Sequence, residues 1–514
     1  MKTLFVSARS ASILLDRGGD YFVPSPVSLF LQADPGSPVL PLGQENRSVF
    51  SLFDLQPDTE YTLTARGENG PDDTLSFHTE PESFTLDVRR FGARGDGITD
   101  DTAALQAAIC CCPAGGRVLL PAGTYASGPL FLRSHITVEL QRGATLSMLT
   151  DRDRHPILPG VTRPSGQGED LLLGSWEGNP LDNFASAFTG VEVEDVRLTG
   201  EGIVDGRGLE SGWWANPKGK NRAYRGHLLY LVRCRGITVQ GLTFRNSPSW
   251  NLHPIFSENL TFVDIRVEAP AVSPNTDGFD PQSCRGIRLW GARFSVGDDC
   301  IAIKSGKIYM GQKYHLPCED IEIAWCAMLD GHGGVTVGSE MSGGVRNVRV
   351  HHCLMRGNDR GLRIKTRRGR GQYAVIDDIR FQDVRMEGVK TPLVVNCMYF
   401  CDPDGHSAYV QSRNPQPVDD TTPTVGAIDF ERVTAHDCQA CVAFALGLPE
   451  RPIGRVRLAD CSFDFLPDAP EMVPAMAEGV PSCHNRGIIA ENVQQLIVEN
   501  VSITGIQGPE VEQQ

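Results

Sequence analysis

Short segments in which apolar and polar residues alternate recur along much of the chain. Each unit has a polar lead, three or four alternating apolar positions and a turn. The segments lie at residues 236–242, 259–265, 286–290, 320–324, 347–350, 378–381 and 495–500. Neighbours among the first six begin about 23 to 34 residues apart, without an intervening helical pattern. Short strands at such a period predict a parallel β-helix, in which each coil stacks on the previous one.

The competing interpretation of these segments is a sandwich of several sheets. A sandwich needs hairpin turns between its strands, whereas these segments restart in the same direction each time. We therefore predict an all-β fold whose main part is a right-handed parallel β-helix. An Ala-rich run follows Asp100 and Asp101, which are favoured N-cap residues, so a helix of about three turns is predicted to begin there. This helix is expected to cover the open end of the coil stack.

The N-terminal part of the chain predicts a separate, small β-sandwich. Its alternating strands lie at residues 27–32, 61–65 and 74–78. Residues 55–61, LQPDTEY, resemble the tyrosine-corner segment of fibronectin type III domains, in which a tyrosine hydroxyl contacts the backbone. We predict a fibronectin type III-like domain over residues 1–82 and the β-helix over residues 83–514.

Composition and charge exclude several classes of function. The 514 residues carry a net charge of -15 without an offsetting basic tract, which argues against nucleic acid as a partner. No apolar run approaches the roughly 20 residues of a membrane-spanning helix, and the N-terminus lacks the features of a signal peptide. The 15 cysteines, three of them consecutive, show no zinc-binding pattern and are typical of a reduced, cytoplasmic protein.

Two polar clusters place three carboxylates on neighbouring coils of the predicted stack. About 21 residues separate Asp277 from Asp298 and Asp299, which is close to one coil. Residues one coil apart become neighbours at about 4.8 Å, the spacing of strands in a sheet. Four successive coils are therefore predicted to present, at comparable positions, Asp277, then Asp298 with Asp299, then His332, then Arg363 with Lys365.

Such a group of residues suits the hydrolysis of a glycosidic bond. One carboxyl must be protonated to donate to the leaving oxygen, and another must be ionised to activate water. Crowding of like charges raises the pKa of one carboxyl and keeps it protonated near neutral pH. Arginine and lysine one or two coils away are expected to bind an anionic group on the sugar.

Four motifs resemble, in order, those of the polygalacturonases, glycoside hydrolase family 28. They are NTD at residues 275–277, GDD at 297–299, GHG at 331–333 and RIK at 363–365. The segment SPSWNLHP at residues 247–254 is also similar to the family. The resemblance covers roughly residues 85–500, and each motif alone would be a weak signal.

The resemblance implies roles for the acids. Asp298 is expected to be the general acid, while Asp277 and Asp299 hold and deprotonate the attacking water. The family inverts the anomeric centre, which is consistent with a water held between carboxyls roughly 6.5–9.5 Å apart. His332 resembles the histidine that supports the acid through a hydrogen bond. No metal or organic cofactor is implied.

The expected substrate-binding residues are Arg363, Lys365, Asn275, His253 and Lys304. The resemblance assigns the first two to the galacturonate carboxylate. For Asp277 the alternative to a catalytic role is the end of a coil, because Asn-Thr-Asp-Gly is favourable turn chemistry. For His253 the alternatives are the floor of the cleft and the core, and for Lys304 they are substrate contact and a solvated face.

These observations predict an inverting hydrolase of α-1,4-galacturonosyl linkages in pectic polysaccharides or oligosaccharides. We expect an exo mode, with the N-terminal sandwich and the insertions at about 306–319 and 401–425 enclosing one end of the groove. A rhamnogalacturonan, xylogalacturonan or unsaturated-uronide hydrolase is the nearest alternative. A β-elimination lyase and a non-catalytic carbohydrate binder are alternatives of other classes. The sequence does not indicate the oligomeric state.

Overall fold

The first domain of the fold is a sandwich of two antiparallel sheets. The computed structural model describes residues 1–68, 71–162 and 171–513. One sheet contains the strands Lys2–Val6, Ala11–Leu14 and Val49–Leu52, and the other contains Val39–Arg47, Phe22–Ala33, Glu60–Arg66 and Asp73–His78. Ile13 and Phe50 of one sheet share a buried apolar core with Leu29 and Leu63 of the other. The backbone N–H of Gln56 donates to the hydroxyl of Tyr61 at 2.8 Å. The predicted strands are present, and kinship with fibronectin type III domains stays a prediction.

The second domain is a parallel β-helix with three faces, as predicted. The first face contains Thr85–Asp87, Gly116–Leu120, Ile136–Leu140, Glu194–Gly200, Arg235–Gln240, Glu258–Val263, Arg285–Trp290, Cys318–Ala324, Val345–His351, Val375–Gln382, Thr424–Val425, Ala427–Glu431, Ile453–Ala459 and Val493–Glu499. All seven alternating segments of the sequence fall in this face. Its inward positions form a ladder of stacked apolar residues: Ile237, Leu260, Ile287, Ile321, Val348, Ile379, Ile428 and Val456.

The second and third faces complete each coil. The second face contains Asp96–Asp100, Gly123–Ser127, Ala144–Met148, Ile203–Asp205, Thr243–Arg245, Arg266–Glu268, Arg293–Ser295, Ala327–Leu329, Leu354–Arg356, Arg385–Glu387, Thr434–Cys438, Ser462–Phe465 and Ser502–Thr504. The third face contains Leu130–Phe131, Phe188–Val191, Leu229–Val232, Leu252–Ile255, Ile301–Ile303, Gly333–Val337, Arg360–Lys365, Thr391–Asn396, Cys441–Leu446, Arg486–Glu491 and Val511–Gln513. Phe279 joins the two parts of the third face through bridges to Leu252 and Ile301. Two further pairs are Ile157–Leu158 with Asn183–Phe184, and Val161–Thr162 with Leu171–Leu172.

The predicted capping helix spans Thr102–Cys111, and Leu105 and Ile109 join the core of the β-helix. Asp101 occupies the N-cap position, but its carboxylate accepts hydrogen bonds from the backbone of Arg94 and Gly95 rather than from the helix. The other helical segments are Ile308–Tyr314, Ala408–Gln411, Val88–Phe91, Arg152–Arg154 and Pro403–His406. Within the described residues, no helix is long and apolar enough to cross a membrane.

The sandwich docks on the edge where the first face turns into the second. The Arg47 guanidinium lies 2.6 Å from the Asp264 carboxylate, and Ser10 donates to Gln240 at 2.6 Å. Gly291 has a φ of +63°, and a Cβ there would lie 2.5 Å from the Cβ of Val49. These contacts are on a different edge from the predicted catalytic residues. The prediction that the sandwich encloses one end of the groove is therefore wrong.

Candidate active site

The candidate catalytic residues lie where the second face turns into the third. Backbone hydrogen bonds connect this position from coil to coil. The N–H of Gly278 donates to the carbonyl of Asp299 at 3.0 Å, and the N–H of His332 donates to the carbonyl of Asp298 at 3.0 Å. The paired third-face positions Phe279, Ile301, Val335 and Leu362 are separated by 22, 34 and 27 residues. Coils of different length therefore place these residues on the same edge, between the second and third faces.

The three aspartates converge on one point at this edge. One carboxylate oxygen from each of Asp277, Asp298 and Asp299 lies within 4.8 Å of the others. The Asp298 side chain is 24% exposed, whereas those of Asp277 and Asp299 are 6% and 1% exposed. Asp298 is thus the member that a bound molecule reaches most easily. The cluster could share a cation or a proton, and the neighbouring lysines and arginine already supply positive charge.

Asp299 is held in the ionised state by two cations that lie two coils further along the stack. Lys365 Nζ donates to Asp299 Oδ2 at 2.7 Å, and Arg363 Nη1 donates to Oδ1 at 3.2 Å. Burial of Asp299 opposes its ionisation, but Lys365 and Arg363 hold its pKa below the ordinary value. Both residues predicted to bind the substrate carboxylate therefore also bind Asp299. Binding of substrate by either residue stays a prediction.

Asp277 has the opposite electrostatic environment. Its burial, together with the charges of Asp298 and Asp280, raises its pKa well above the ordinary value, although Lys304 lies 3.9 Å away. Burial is the larger cause of this raised pKa, and the like charges that the sequence analysis expected contribute to it. A raised pKa makes the ionised form of Asp277 a stronger base than Asp299.

His332 lies beside the most exposed aspartate, as its position in the predicted stack implied. Its Nδ1 is 3.3 Å from Asp298 Oδ1, and its side chain is 53% exposed. The hydrogen bond with Asp298 raises the pKa of the imidazole above 6.5, more than burial lowers it. The imidazolium form of His332 can therefore donate to Asp298.

The other predicted substrate-binding residues are less accessible than expected. Lys304 is not on a solvated face, because it is buried and lies 3.3 Å from the Glu340 carboxylate and 3.4 Å from Asp280. His253 is fully buried, its ring packs on Trp250, and its Nδ1 contacts the carbonyl of Asp280 at 2.7 Å. Asn275 is only partly buried, and its side-chain oxygen accepts from Arg225 at 2.8 Å.

Sequence reasoning missed three residues near the cations of the site. The ring centroid of Tyr399 lies 5.5 Å from Lys365 Nζ, and Met476 Sδ lies 3.2 Å from Arg363 Nη2. Glu340 is buried against Lys304, and its burial is outweighed by Lys304 and Lys307, which lower its pKa. None of the three belongs to a recognised motif. Tyr399 follows Asn396, the partner of Lys365 on the next coil, so extending the coil register would have located it.

A turn at residues 176–179, here called the Trp176 turn, packs against the third face close to the candidate site. Trp176 stacks on Tyr224 and on Trp250, with ring centroids 5.2 Å and 6.4 Å apart. On its other side, the N–H of Lys307 donates to the carbonyl of Gly178 at 2.9 Å. Trp250 also contacts Lys304, whose Nζ lies 4.3 Å from its ring centroid. The Trp176 turn therefore packs beside Lys304, which lies 3.9 Å from Asp277.

Comparison with known families gives two matches. The profile described as glycosyl hydrolases family 28 matches residues 119–414. A second profile, described as rhamnogalacturonase A/epimerase, pectate lyase-like, matches residues 85–138. The first match includes the three aspartates together with His332, Arg363 and Lys365.

Curated relatives include plant and bacterial proteins. A probable polygalacturonase of Vitis vinifera is 34% identical over 325 residues, which is 62% of this chain and 63% of that protein. An exo-poly-alpha-D-galacturonosidase of Dickeya chrysanthemi is 25% identical over 410 residues, 70% of this chain and 66% of that protein. The chain thus spans less than two thirds of the length of the Vitis relative.

Solved structures share the architecture. The family 28 exopolygalacturonase of Yersinia enterocolitica has a TM-score of 0.70 at 17% identity, covering 99% of this chain and 95% of that chain. A hyperthermoactive exopolygalacturonase of Thermotoga maritima has a TM-score of 0.64 at 25% identity, covering 83% and 93%. Since the family profile matches more than half of its length, the chain belongs to glycosyl hydrolase family 28.

Proposed function

We propose that the protein hydrolyses α-1,4-galacturonosyl linkages in polygalacturonate or oligogalacturonides. The observation that carries the proposal is that carboxyl groups in opposite electrostatic environments meet at one edge of the third face. The pKa of Asp277 is raised, whereas Asp299 is held ionised beside Lys365. An acid and a base at one point are what glycoside hydrolysis requires.

In the proposed mechanism, Asp298 is the general acid. It donates its proton to the leaving glycosidic oxygen as the C1–O bond breaks, and His332 supports it by a hydrogen bond. Water forms the new bond to C1 and gives a proton to Asp277. Asp299 positions the water and stays ionised through its cationic partners.

Inversion of the anomeric centre is part of the proposal. Both oxygens of Asp299 accept hydrogen bonds from cations, which makes this carboxylate a poor nucleophile and favours attack by water. The nearest oxygens of the acids are within 4.8 Å, closer than the separation of roughly 6.5–9.5 Å that inverting enzymes generally have. The anomer first formed, followed by proton NMR during hydrolysis, decides between inversion and retention.

We further propose an exo mode. The proposal is that the Trp176 turn, which packs on Trp250 and contacts Lys307, limits the substrate at one side of the site, so that a chain end rather than a chain interior fits there. Curated relatives include proteins named as exo- and as endo-acting, so the mode of action depends on this chain's own groove.

The experiment is digestion of a defined oligogalacturonate, with products separated by chromatography and reducing ends counted. Release of single galacturonate units supports the exo mode, and mixed lengths contradict it. Ultraviolet absorbance of unsaturated products without water-dependent cleavage would identify a lyase instead. Asp298→Asn is expected to reduce kcat by several orders of magnitude, as loss of a general acid does. Asp330→Asn, an exposed aspartate in the adjacent turn, serves as the matched control and should retain activity.

We also propose that the protein acts in the cytoplasm. All 15 cysteines are free thiols, and most are buried. Oxidising compartments favour disulfides, so this cysteine content suits a reducing one. Fractionation of cells that produce the protein tests this location.

A further inference from the structure

Met476 is an exposed methionine beside the candidate site. The residue is 36% exposed. Of the other nine methionines, Met1 and Met472 are partly buried, and the remaining seven are buried. Oxidation of a thioether requires that the oxidant reaches the sulfur, so exposure favours it. Met476 is therefore the methionine of this chain that is most open to chemical modification.

A strap of chain, defined here as residues 472–483, holds Met476 over the third face. Arg360 Nη2 donates to the carbonyl of Val473 at 2.9 Å, and Asn396 Nδ2 donates to the carbonyl of Met476 at 2.9 Å. Arg360 and Asn396 belong to successive strands of the third face. The position of Met476 is therefore fixed through the backbone of the strap, and its side chain is free to take part in other contacts.

The side chain of Met476 contacts a cation of the candidate site. Its Sδ lies 3.2 Å from Nη2 of Arg363, while Nη1 of Arg363 donates to the Asp299 carboxylate at 3.2 Å. A thioether is a weak hydrogen-bond acceptor. In the described part of the chain, Nη1 thus has a carboxylate partner, whereas Nη2 has a weak partner that a substrate carboxylate can displace.

There is space beside Met476 for one more atom. A cavity of about 10 Å³ has Arg363, Lys365, Tyr399 and Met476 among its lining residues. This volume is close to the smallest that accommodates a water molecule. The unbranched side chain of methionine adjusts readily to its surroundings. An oxygen atom bonded to Sδ therefore fits beside the cations of the site.

We propose that Met476 is an oxidation site whose modification weakens binding of the substrate. Hydrogen peroxide transfers one oxygen atom to Sδ: the S–O bond forms, the O–O bond breaks, the thioether is oxidised to a sulfoxide and the peroxide is reduced to water. The polar sulfoxide oxygen is a better acceptor for Arg363 than the thioether, so it competes with a galacturonate carboxylate for Nη2. The inference rests on the proposed function, in which the substrate carries this carboxylate, and on the expectation that Arg363 binds it.

Calorimetric binding of trigalacturonate to Asp298→Asn, the parent protein, tests the proposal without turnover. Treatment with hydrogen peroxide, followed by dithiothreitol to reduce oxidised thiols, should weaken binding about tenfold or more, the size of a lost charge-assisted hydrogen bond. Peptide mass spectrometry should show one added oxygen on Met476. With Met476→Leu added to the parent, the same treatment should not change the affinity. The matched control is Met472→Leu, at a partly buried methionine of the same strap, which should lose affinity as the parent does.

Two further measurements test the role of the added oxygen itself. Methionine sulfoxide reductase, which removes this oxygen, should restore the affinity of the treated parent. Met476→Gln places an amide oxygen near the position of the sulfoxide oxygen, so without any oxidant it should bind trigalacturonate more weakly than Met476→Leu. Equal thermal unfolding temperatures of these two variants would exclude a difference in folding as the cause.

Several outcomes would overturn the proposal. These are oxidation of Met476 without loss of affinity, an equal loss of affinity in Met476→Leu, oxidation of Met472 before Met476, or no binding of trigalacturonate to the untreated parent. Peroxide-sensitive binding by the parent, together with a wild type that releases no reducing ends, would refute the hydrolase function alone. Hydrolysis by the wild type without an effect of Met476 oxidation would refute this inference alone.

Discussion

At the scale of single residues, three identical carboxyl side chains have different properties because their surroundings differ. Asp299 has two cationic partners, whereas Asp277 is buried beside other acids. Asp298 is the most exposed and contacts His332. Chemically equal carboxyl groups thereby differ in protonation and in access.

Replacement of Lys365 should shift the acidic side of the pH–rate profile. Lys365→Gln removes the closer cation from Asp299, so the pKa of this carboxyl rises and its ionised form is lost at a higher pH. The acidic limb of kcat/KM is expected to move upward, with activity falling most at low pH. Lys365→Arg, which keeps the charge, should shift the limb less. The control is Lys390→Gln, which replaces a lysine paired with Asp359, and it should leave the acidic limb of kcat/KM unchanged. If Lys365→Gln also leaves this limb unchanged, Lys365 does not set the pKa of Asp299.

His332 should titrate above pH 6.5, and Asp298 should be the cause. The ionised carboxylate stabilises the imidazolium, so Asp298→Asn is expected to lower the pKa of His332. The stability that this contact provides is complete below pH 6.5 and is lost as pH rises through the raised pKa of His332. NMR titration of the imidazole measures the pKa of His332 in the wild type and in Asp298→Asn. The resonance of His436, which pairs with Asp464 on the second face, should be the same in both proteins.

The sequence was informative about which residues meet and less so about what each one contacts. Coil spacing and motif order predicted that Asp277, Asp298 and His332 are neighbours. The burial of Lys304 and of His253 was not predictable, because it depends on Glu340 and Asp280 from other coils or loops. Arg370 looked like part of a surface charge run, and only the fold shows that it is buried.

At the scale of elements, the strands of the first face were the easiest to predict. They alternate between the core and solvent, which gives a clear pattern of period two. Third-face strands such as Gly333–Val337 are buried throughout and lack this pattern. The face that carries the candidate site was therefore located through its motifs rather than its strands.

The turn at Gly291 controls how closely the sandwich approaches the β-helix. Gly291→Ala is expected to lower the free energy of unfolding by about 1–3 kcal/mol through its clash with Val49. Gly388→Ala is the matched control, because Gly388 has a φ of +61° and no atom within 4 Å of its Cβ position. Denaturant unfolding of both variants separates the clash from backbone strain. Equal losses would show that close approach is not the cause.

At the scale of the whole molecule, the two domains meet away from the chemistry. The sandwich docks through residues such as Arg47 and Ser10 on one edge, while the acids lie on another. This arrangement could not be predicted, because it depends on contacts between residues more than 200 positions apart in the chain.

The Trp176 turn is the feature expected to set the product pattern. Trp176→Ala removes the ring that stacks on Trp250, so the limit on the substrate at this side of the site should be relaxed and oligogalacturonate digestion should yield mixed lengths. Trp213→Ala, which removes an equally buried tryptophan packed on Phe184, is the control and should keep the original products. Unchanged products from Trp176→Ala would argue against the turn as the determinant.

The coils that carry the catalytic edge differ in length by up to 12 residues, yet their backbone hydrogen bonds keep the acids in one register. The length of the loops can therefore change in this scaffold without changing the relative positions of the catalytic residues. Mutation can lengthen, shorten or exchange the segments around the groove while the chemistry is inherited intact. New preferences for sugars can therefore arise by remodelling the surroundings alone.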